Sequence, residues 1–288
     1  APGAVTTVST GGYAVGGSGF SQSQEERPRP GQCWRGLEVC SVYPVGTDTT
    51  TLLVICSGSV VDFEGDAIVN AANEGCISGD GVDGAITAAG GKELAEARLN
   101  LPILDHTRDV RCPVGEAKLT IGGRLKAQYC IHAVGPNYNR LVHDQRMPME
   151  ECDKIVSKAY SNALECAKSK SLRNVAFSLI SASIFRGPQS LEAVLDAGIE
   201  GIQSGLYPEL QEVALVAFTQ QERTTLETLC GTKFPYAKGS LGQSGQPSTG
   251  LDRTILNYPV QQPLQEVVRW GAPAQPASLT RLTQTRMA

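Results

Sequence analysis

A chain of 288 residues that is 41% hydrophobic can bury a sizeable core. Its formal net charge of -4 lacks the basic excess of a protein that grips nucleic acid through phosphates. No run approaches the roughly 18 apolar residues that span a bilayer, and the first residues show neither the basic start nor the apolar stretch of a signal peptide. Neither a nucleic-acid partner nor a membrane is therefore expected. Nine cysteines, none in a C-x-x-C pair or at zinc-finger spacing to a histidine, argue against a disulfide scaffold and for a reducing compartment. The expectation is an intracellular protein, cytoplasmic or nuclear, and the missing initiator Met points to a processed product or an excised piece.

Residues 1–31 are rich in Gly, Ser and Thr and end in a Pro-rich stretch, so they lack the apolar content to offset the entropy of ordering. Leu37–Val45 and Thr51–Cys56 read as strands joined by a polar turn at Gly46 and Asp48. Ala67–Asn70 is a short buried strand. Asp83–Ala97 has helical periodicity, with Ala85, Ile86, Ala89, Leu94 and Ala97 on the expected inner face, and Gly90 and Gly91 interrupt it. Tyr129–Val134 is a strand closed by Gly135-Pro136. Met149–Lys168 is a long amphipathic helix. Asn174–Ile180 is a nearly continuous apolar strand, as in a sheet covered on both faces. A helix at Leu191–Leu206, a strand at Val213–Phe218 and a helix at Gln220–Cys230 complete the series. The alternation predicts an α/β fold, a three-layer α/β/α sandwich around a mixed, mostly parallel sheet. The domain expected is 32–232, with 1–31 and 233–288 as low-complexity tails; Leu264–Trp270 in the second tail reads as a loosely packed stretch, with a short helix or a small partner-binding segment as the other readings.

In such sheets ligands bind beyond the carboxyl ends of the strands. Two loops there carry the chemistry. The first contains Gly79-Asp80-Gly81-Val82-Asp83-Gly84, a G-x-G-x-x-G match whose context is wrong for a dinucleotide fingerprint because NAANEGCIS separates it from its strand. Its glycines still permit close approach of backbone to a diphosphate at a helix N-terminus. The second is Ser181-Ala182-Ser183-Ile184-Phe185-Arg186-Gly187-Pro188.

The strings NAAN, GDGVDGAI, AAGG, CPVGEA and AQYCIHAVGP together resemble the macrodomain family, in the branch that removes mono-ADP-ribose from acidic side chains. The similarity covers roughly residues 37–230. It implies binding of ADP-ribose and of ADP-ribosylated proteins, with no cofactor and no metal. Asn73 matches the residue that hydrogen-bonds the distal ribose, and an amide both donates and accepts, as a pair of hydroxyls requires. Asp83 matches the acidic residue implied to orient or activate water for attack at the ribose C1″ carbon; its other reading is a helix N-cap. Gly79, Gly81, Val82, Ser181, Ala182, Ser183, Ile184 and Phe185 would wrap the diphosphate and distal ribose, with Phe185 stacking on the sugar or packing in the core. Asn70 and His132 read as structural.

Three departures stand out. Ser59, followed by Val60, replaces the usual aspartate that accepts from the adenine amino group, and a neutral acceptor is weaker. Ser183 and Arg186 replace loop glycines; Arg186 is expected either to pair with a phosphate or to be solvated. Asp80 places a negative charge near the diphosphate. Asp66 is close in sequence but has no assigned role. Two readings follow: a hydrolase of mono-ADP-ribosyl esters, and a non-catalytic ADP-ribose reader. A third, divergence toward RNA, would need a basic surface.

Overall fold

The computed structural model describes residues 27–45 and 51–235. The expected turn at Gly46 and Asp48, the stretch Leu264–Trp270 and most of both tails lie outside the described residues. Among the described residues eight strands form one sheet: β1 (Cys33–Trp34), β2 (Leu37–Pro44), β3 (Leu52–Ser57), β4 (Ala67–Ala72), β5 (Ala117–Ile121), β6 (Tyr129–Val134), β7 (Asn174–Ser178) and β8 (Glu212–Ala217). Their order is β1-β2-β3-β8-β7-β4-β6-β5. The five inner strands β3, β8, β7, β4 and β6 are parallel, and β1, β2 and β5 add antiparallel edges. The mixed, mostly parallel sheet of the sandwich is thus present. The sequence reading passes over β1 and β5, short edge strands without a continuous apolar run.

Alternation within the apolar strands splits the core in two. Leu53, Ile55, Val69, Val175, Phe177, Val213 and Leu215 point to one face, where α2 (Met149–Lys168), α3 (Leu191–Ser204) and α4 (Gln220–Lys233) pack. Val54, Cys56, Ile68, Ala176, Ala214 and Val216 point to the other, against Trp34, Phe63 and the Ile86 and Leu94 side chains of α1 (Gly81–Leu99). Successive Cβ atoms leave a strand on opposite sides, so a run such as LLVIC must be apolar at every position when both faces are covered.

The inner face of α1 differs from the expected one. Asp83, Ile86, Gly90, Leu94 and Arg98 are buried, whereas Ala85 is exposed and Ala89 and Ala97 are half-buried. Gly91 breaks the helix with φ 66 and ψ -158, and the two pieces share a face that carries an aspartate at one end and an arginine at the other.

Candidate functional site

The loops that leave β3, β4, β6, β7 and β8 all emerge at the carboxyl end of the sheet, because these five strands run the same way. Asn73 and Glu74 from the loop after β4, Gly135, Asn137, Arg140 and Leu141 after β6, and Phe185 after β7 line one cavity of about 100 Å³ with Val114 and Val134. The segments Asn73–Asp83 and Ser181–Pro188 therefore converge. Their mutual approach is tight around β6: a Cβ on Gly135 would collide with Ser181, whose hydroxyl donates to the Pro136 carbonyl at 2.8 Å.

The first loop folds onto itself. The Asn73 amide donates to the Ser78 carbonyl at 2.9 Å and accepts from the Cys76 N–H at 3.2 Å. Gly79 fits beneath it with no space for a side chain: a Cβ there would stand 2.7 Å from Asp83 Oδ2 and 3.4 Å from Asn73 Nδ2. Asn73 and Asp83 thus flank the same glycine. Only Asn73 reaches the cavity.

Asp83 lies in the first turn of α1 and is not the N-cap; that position is Asp80, whose side chain makes no capping hydrogen bond. The Asp83 carboxylate is buried. Its Oδ1 accepts from Asn70 Nδ2 at 2.8 Å and pairs with Arg98 Nη1 at 2.7 Å, and its Oδ2 accepts from Arg98 Nη2 at 3.1 Å. Arg98 has no exposed surface and also donates through Nε to the Cys76 carbonyl at 2.6 Å and through Nη1 to Thr87 Oγ1 at 2.6 Å. A paired fork of this kind satisfies both charges away from water. The network continues through Asn70 Nδ2 to His132 Nδ1 at 3.2 Å and from His132 Nε2 to Thr120 Oγ1 at 2.9 Å. Burial, with the Arg98 charge second, pushes the His132 ring down to about 3, so the ring is neutral, accepting at Nδ1 and donating at Nε2. Asn70 ties the strand to α1.

The remaining residues fall along the same rim. Gly81 is exposed and opens α1, and Val82 packs half-buried against the core below it. Asp80 is exposed. Ala182 is buried, and Ser181, also buried, holds a left-handed φ of 58, which turns the second loop out of β7. Ser183 and Ile184 are exposed, Ile184 to 81%. Phe185 is half-buried and faces the cavity. Arg186 is neither free in solvent nor aimed outward: its guanidinium donates to the Ala182 and Gln189 carbonyls at 3.2 and 2.7 Å, bracing the loop. The guanidinium is thus held by carbonyls of its own loop, which corrects the solvated reading. Ser59 is half-buried and Val60 buried at the end of β3. Asp66 accepts from the Arg173 and Asn174 N–H groups at the opposite end of the sheet.

Sequence reasoning misses several neighbours. Glu74 pairs with Arg140 at 3.2 Å at the cavity mouth. Arg98 gives no sequence signal toward Asp83, from which a broken helix separates it. Phe218 is 84% exposed at the carboxyl end of β8, beside Gly58, whose N–H donates to the Ala217 carbonyl; an aromatic directly after a buried strand is a readable signal. Among the described residues no group of His, Cys, Asp and Glu is arranged to hold a metal ion, and no helix is long and apolar enough to cross a membrane.

Comparison with known proteins gives a consistent picture. The sequence model of the Macro domain matches residues 69–194. A Macro domain-containing protein of Cupriavidus necator is 39% identical over 173 residues, 59% of this chain and 91% of the relative. An O-acetyl-ADP-ribose deacetylase of Escherichia fergusonii is 34% identical over 139 residues, 48% of this chain and 72% of the relative. Among solved structures, the Oceanobacillus iheyensis macrodomain with ADP superposes with a TM-score of 0.57 at 26% identity, covering 65% of this chain and 94% of that one. The Trypanosoma brucei macrodomain in complex with ADP-ribose superposes with a TM-score of 0.51 at 28% identity, covering 65% and 73%. With a relative matched at 39% identity along 91% of its length, and the fold shared with solved macrodomains, the chain belongs to the Macro domain family.

Proposed function

We propose that the chain binds ADP-ribose across the carboxyl end of its parallel strands and hydrolyses the ester between ADP-ribose and acidic side chains of proteins. The observation that carries the reading is the shared cavity of Asn73 and Phe185, built from two loops distant in sequence over the start of α1. The diphosphate lies against the backbone N–H groups of Gly79, Gly81 and Val82, where the helix dipole favours an anion, and against those of Ser181–Phe185. The distal ribose meets the Asn73 amide and the Phe185 ring. The adenine lies by Ser59 and Val60, with the exposed Phe218 ring available for stacking. Solved relatives bound to ADP and to ADP-ribose, and a relative named as an O-acetyl-ADP-ribose deacetylase, support this ligand class and ester chemistry. Asp83, flanking Gly79, orients the attacking water; catalysis is positioning and charge placement.

One observation favours the reader instead. Both Asp83 oxygens are engaged by Asn70 and Arg98, and the carboxylate stands behind Gly79. Incubation with a mono-ADP-ribosylated glutamate or aspartate acceptor, with ADP-ribose release followed alongside calorimetry on free ADP-ribose, separates the two. Release that disappears in Asp83→Ala while calorimetry still shows ADP-ribose binding supports the hydrolase. Binding without release establishes the reader, and absence of binding removes both.

A further inference from the structure

Beneath the first ligand loop two cysteines lie on neighbouring buried segments. Cys76 and Cys112 are fully buried and share a small cluster with Ala72 and Val134. They come from segments that are already stitched together: the Arg111 and Cys112 N–H groups both donate to the Glu74 carbonyl, at 2.9 and 3.1 Å. The Cys76 residue is also bonded to Asn73, through its N–H to the side-chain amide oxygen at 3.2 Å and through its thiol to the backbone carbonyl at 3.4 Å. It holds a left-handed φ of 53, uncommon for a side-chain-bearing residue. The proposed hydrolysis makes no use of either sulfur.

We propose that Cys76 and Cys112 are a paired oxidation site for a peroxide, and that the resulting disulfide clamps the loop carrying Asn73.

The two sulfurs are unequal. The Arg98 and Arg111 guanidinium groups donate to the Cys76 and Gly75 carbonyls at 2.6 and 3.4 Å, and the interaction with Cys112 together with these two charges lowers the Cys76 thiol below its ordinary value, against burial and the Asp83 charge. The same interaction, with burial, raises Cys112. With two guanidinium groups held against its segment, Cys76 is the sulfur that attacks and Cys112 the one that resolves. In the first step the Cys76 sulfur displaces one oxygen of hydrogen peroxide; an S–O bond forms, the O–O bond breaks, and the second oxygen leaves as water. In the second step the Cys112 sulfur attacks Cys76–SOH; the S–S bond forms, the S–O bond breaks, and the hydroxide departs with the Cys112 proton as water. Two electrons pass from the thiols to the peroxide, and a thiol reductant returns them. Burial retards entry of the oxidant until the loop opens locally, and the shared cluster keeps the resolving thiol near the sulfenic acid ahead of further oxidation.

The consequence for ligand binding rests on the proposed function; the disulfide itself does not. The full chain is treated with hydrogen peroxide, its free thiols are alkylated, and its peptides are mapped by mass spectrometry, with hydrogen exchange recorded over residues 73–80. The expected result is a linked Cys76–Cys112 peptide, slowed exchange in that loop, reversal by dithiothreitol, and loss of the link in Cys112→Ser and Cys76→Ser. Absence of the link, a link through the exposed Cys33 or the partly exposed Cys40 or Cys166, or unchanged loop exchange in linked protein overturns the proposal. Calorimetry with ADP-ribose on reduced and oxidised protein is expected to show affinity about tenfold weaker after oxidation, within the usual range of coupling between sites; equal affinities overturn the clamp. If reduced protein binds no ADP-ribose while the link forms and slows exchange, the ligand reading falls and the thiol pair stands.

Discussion

At the scale of single residues, Arg98 decides how the aspartate of the first loop behaves. Its guanidinium joins the Cys76 carbonyl, Thr87 and Asp83 without any contact with solvent. Removing one member of a buried ion pair strands the other, at a cost of about 3–5 kcal/mol. Arg98→Ala should therefore lose that much in urea unfolding, and the double variant Arg98→Met with Asp83→Asn should recover a large part of it; equal losses in the single and double variants would refute the pairing argument. His132 supplies a second prediction. Its ring sits near 3 in the folded chain against roughly 6.5 when unfolded. The unfolded state therefore binds more protons between those values, so the stabilisation is complete above pH 6.5 or so and fades as pH falls toward 3. Each pH unit within the window costs about 1.4 kcal/mol per proton. Unfolding free energies measured from about pH 6 to 4.5, above most carboxylate titration, should decline at near this slope in the parent and less in His132→Asn.

At the scale of elements, α1 is built as two helical pieces joined at Gly91. A side chain there would need φ 66 and would run into the Arg124 guanidinium. Gly91→Ala should cost about 1–3 kcal/mol, the range for a residue forced into a sparsely populated backbone region, read as a lower urea midpoint with unchanged slope. The helix α4 carries a more ordinary device. Thr219 accepts from the Glu222 N–H at 3.2 Å while Glu222 accepts from the Thr219 N–H at 2.8 Å, and Thr219→Ala should lose about 1 kcal/mol. These elements show where the sequence was readable. Strands β3, β7 and β8 announce themselves because a doubly covered strand must be apolar throughout, and α2 because its one covered face repeats at helical spacing. Strand β5, with Lys118 and Thr120 among its five residues, has an edge to face outward and shows no such run. The inner face of α1 is misread because Asp83 and Arg98 become buried only through each other, and periodicity counts charges as outward-facing.

At the scale of the whole molecule, the two ligand loops were legible as strings, and their convergence follows from parallel strands ending on one side. What the strings do not carry is which atoms remain free. The Asn73 amide gives one donor and one acceptor bond to its own loop and keeps one of each, Arg186 braces carbonyls of the second loop, and Asp83 is engaged by a residue at the far end of α1. The cavity of about 100 Å³ is also smaller than the roughly 300–1,000 Å³ of drug-sized ligand sites, so under the proposed function ADP-ribose spreads along the rim from the cavity toward Phe218. That extension is testable. Phe218 is 84% exposed, so Phe218→Ala should leave the ligand-free unfolding midpoint unchanged. Losing a base-stacking ring costs about 1–3 kcal/mol, which is roughly 5- to 150-fold in affinity. The parent should gain about 2.7 kcal/mol at a ligand concentration of roughly a hundred times Kd, and at that same concentration the variant should gain much less. A variant that binds as tightly as the parent would confine the ligand to the cavity and remove the β8 end of the sheet from the site.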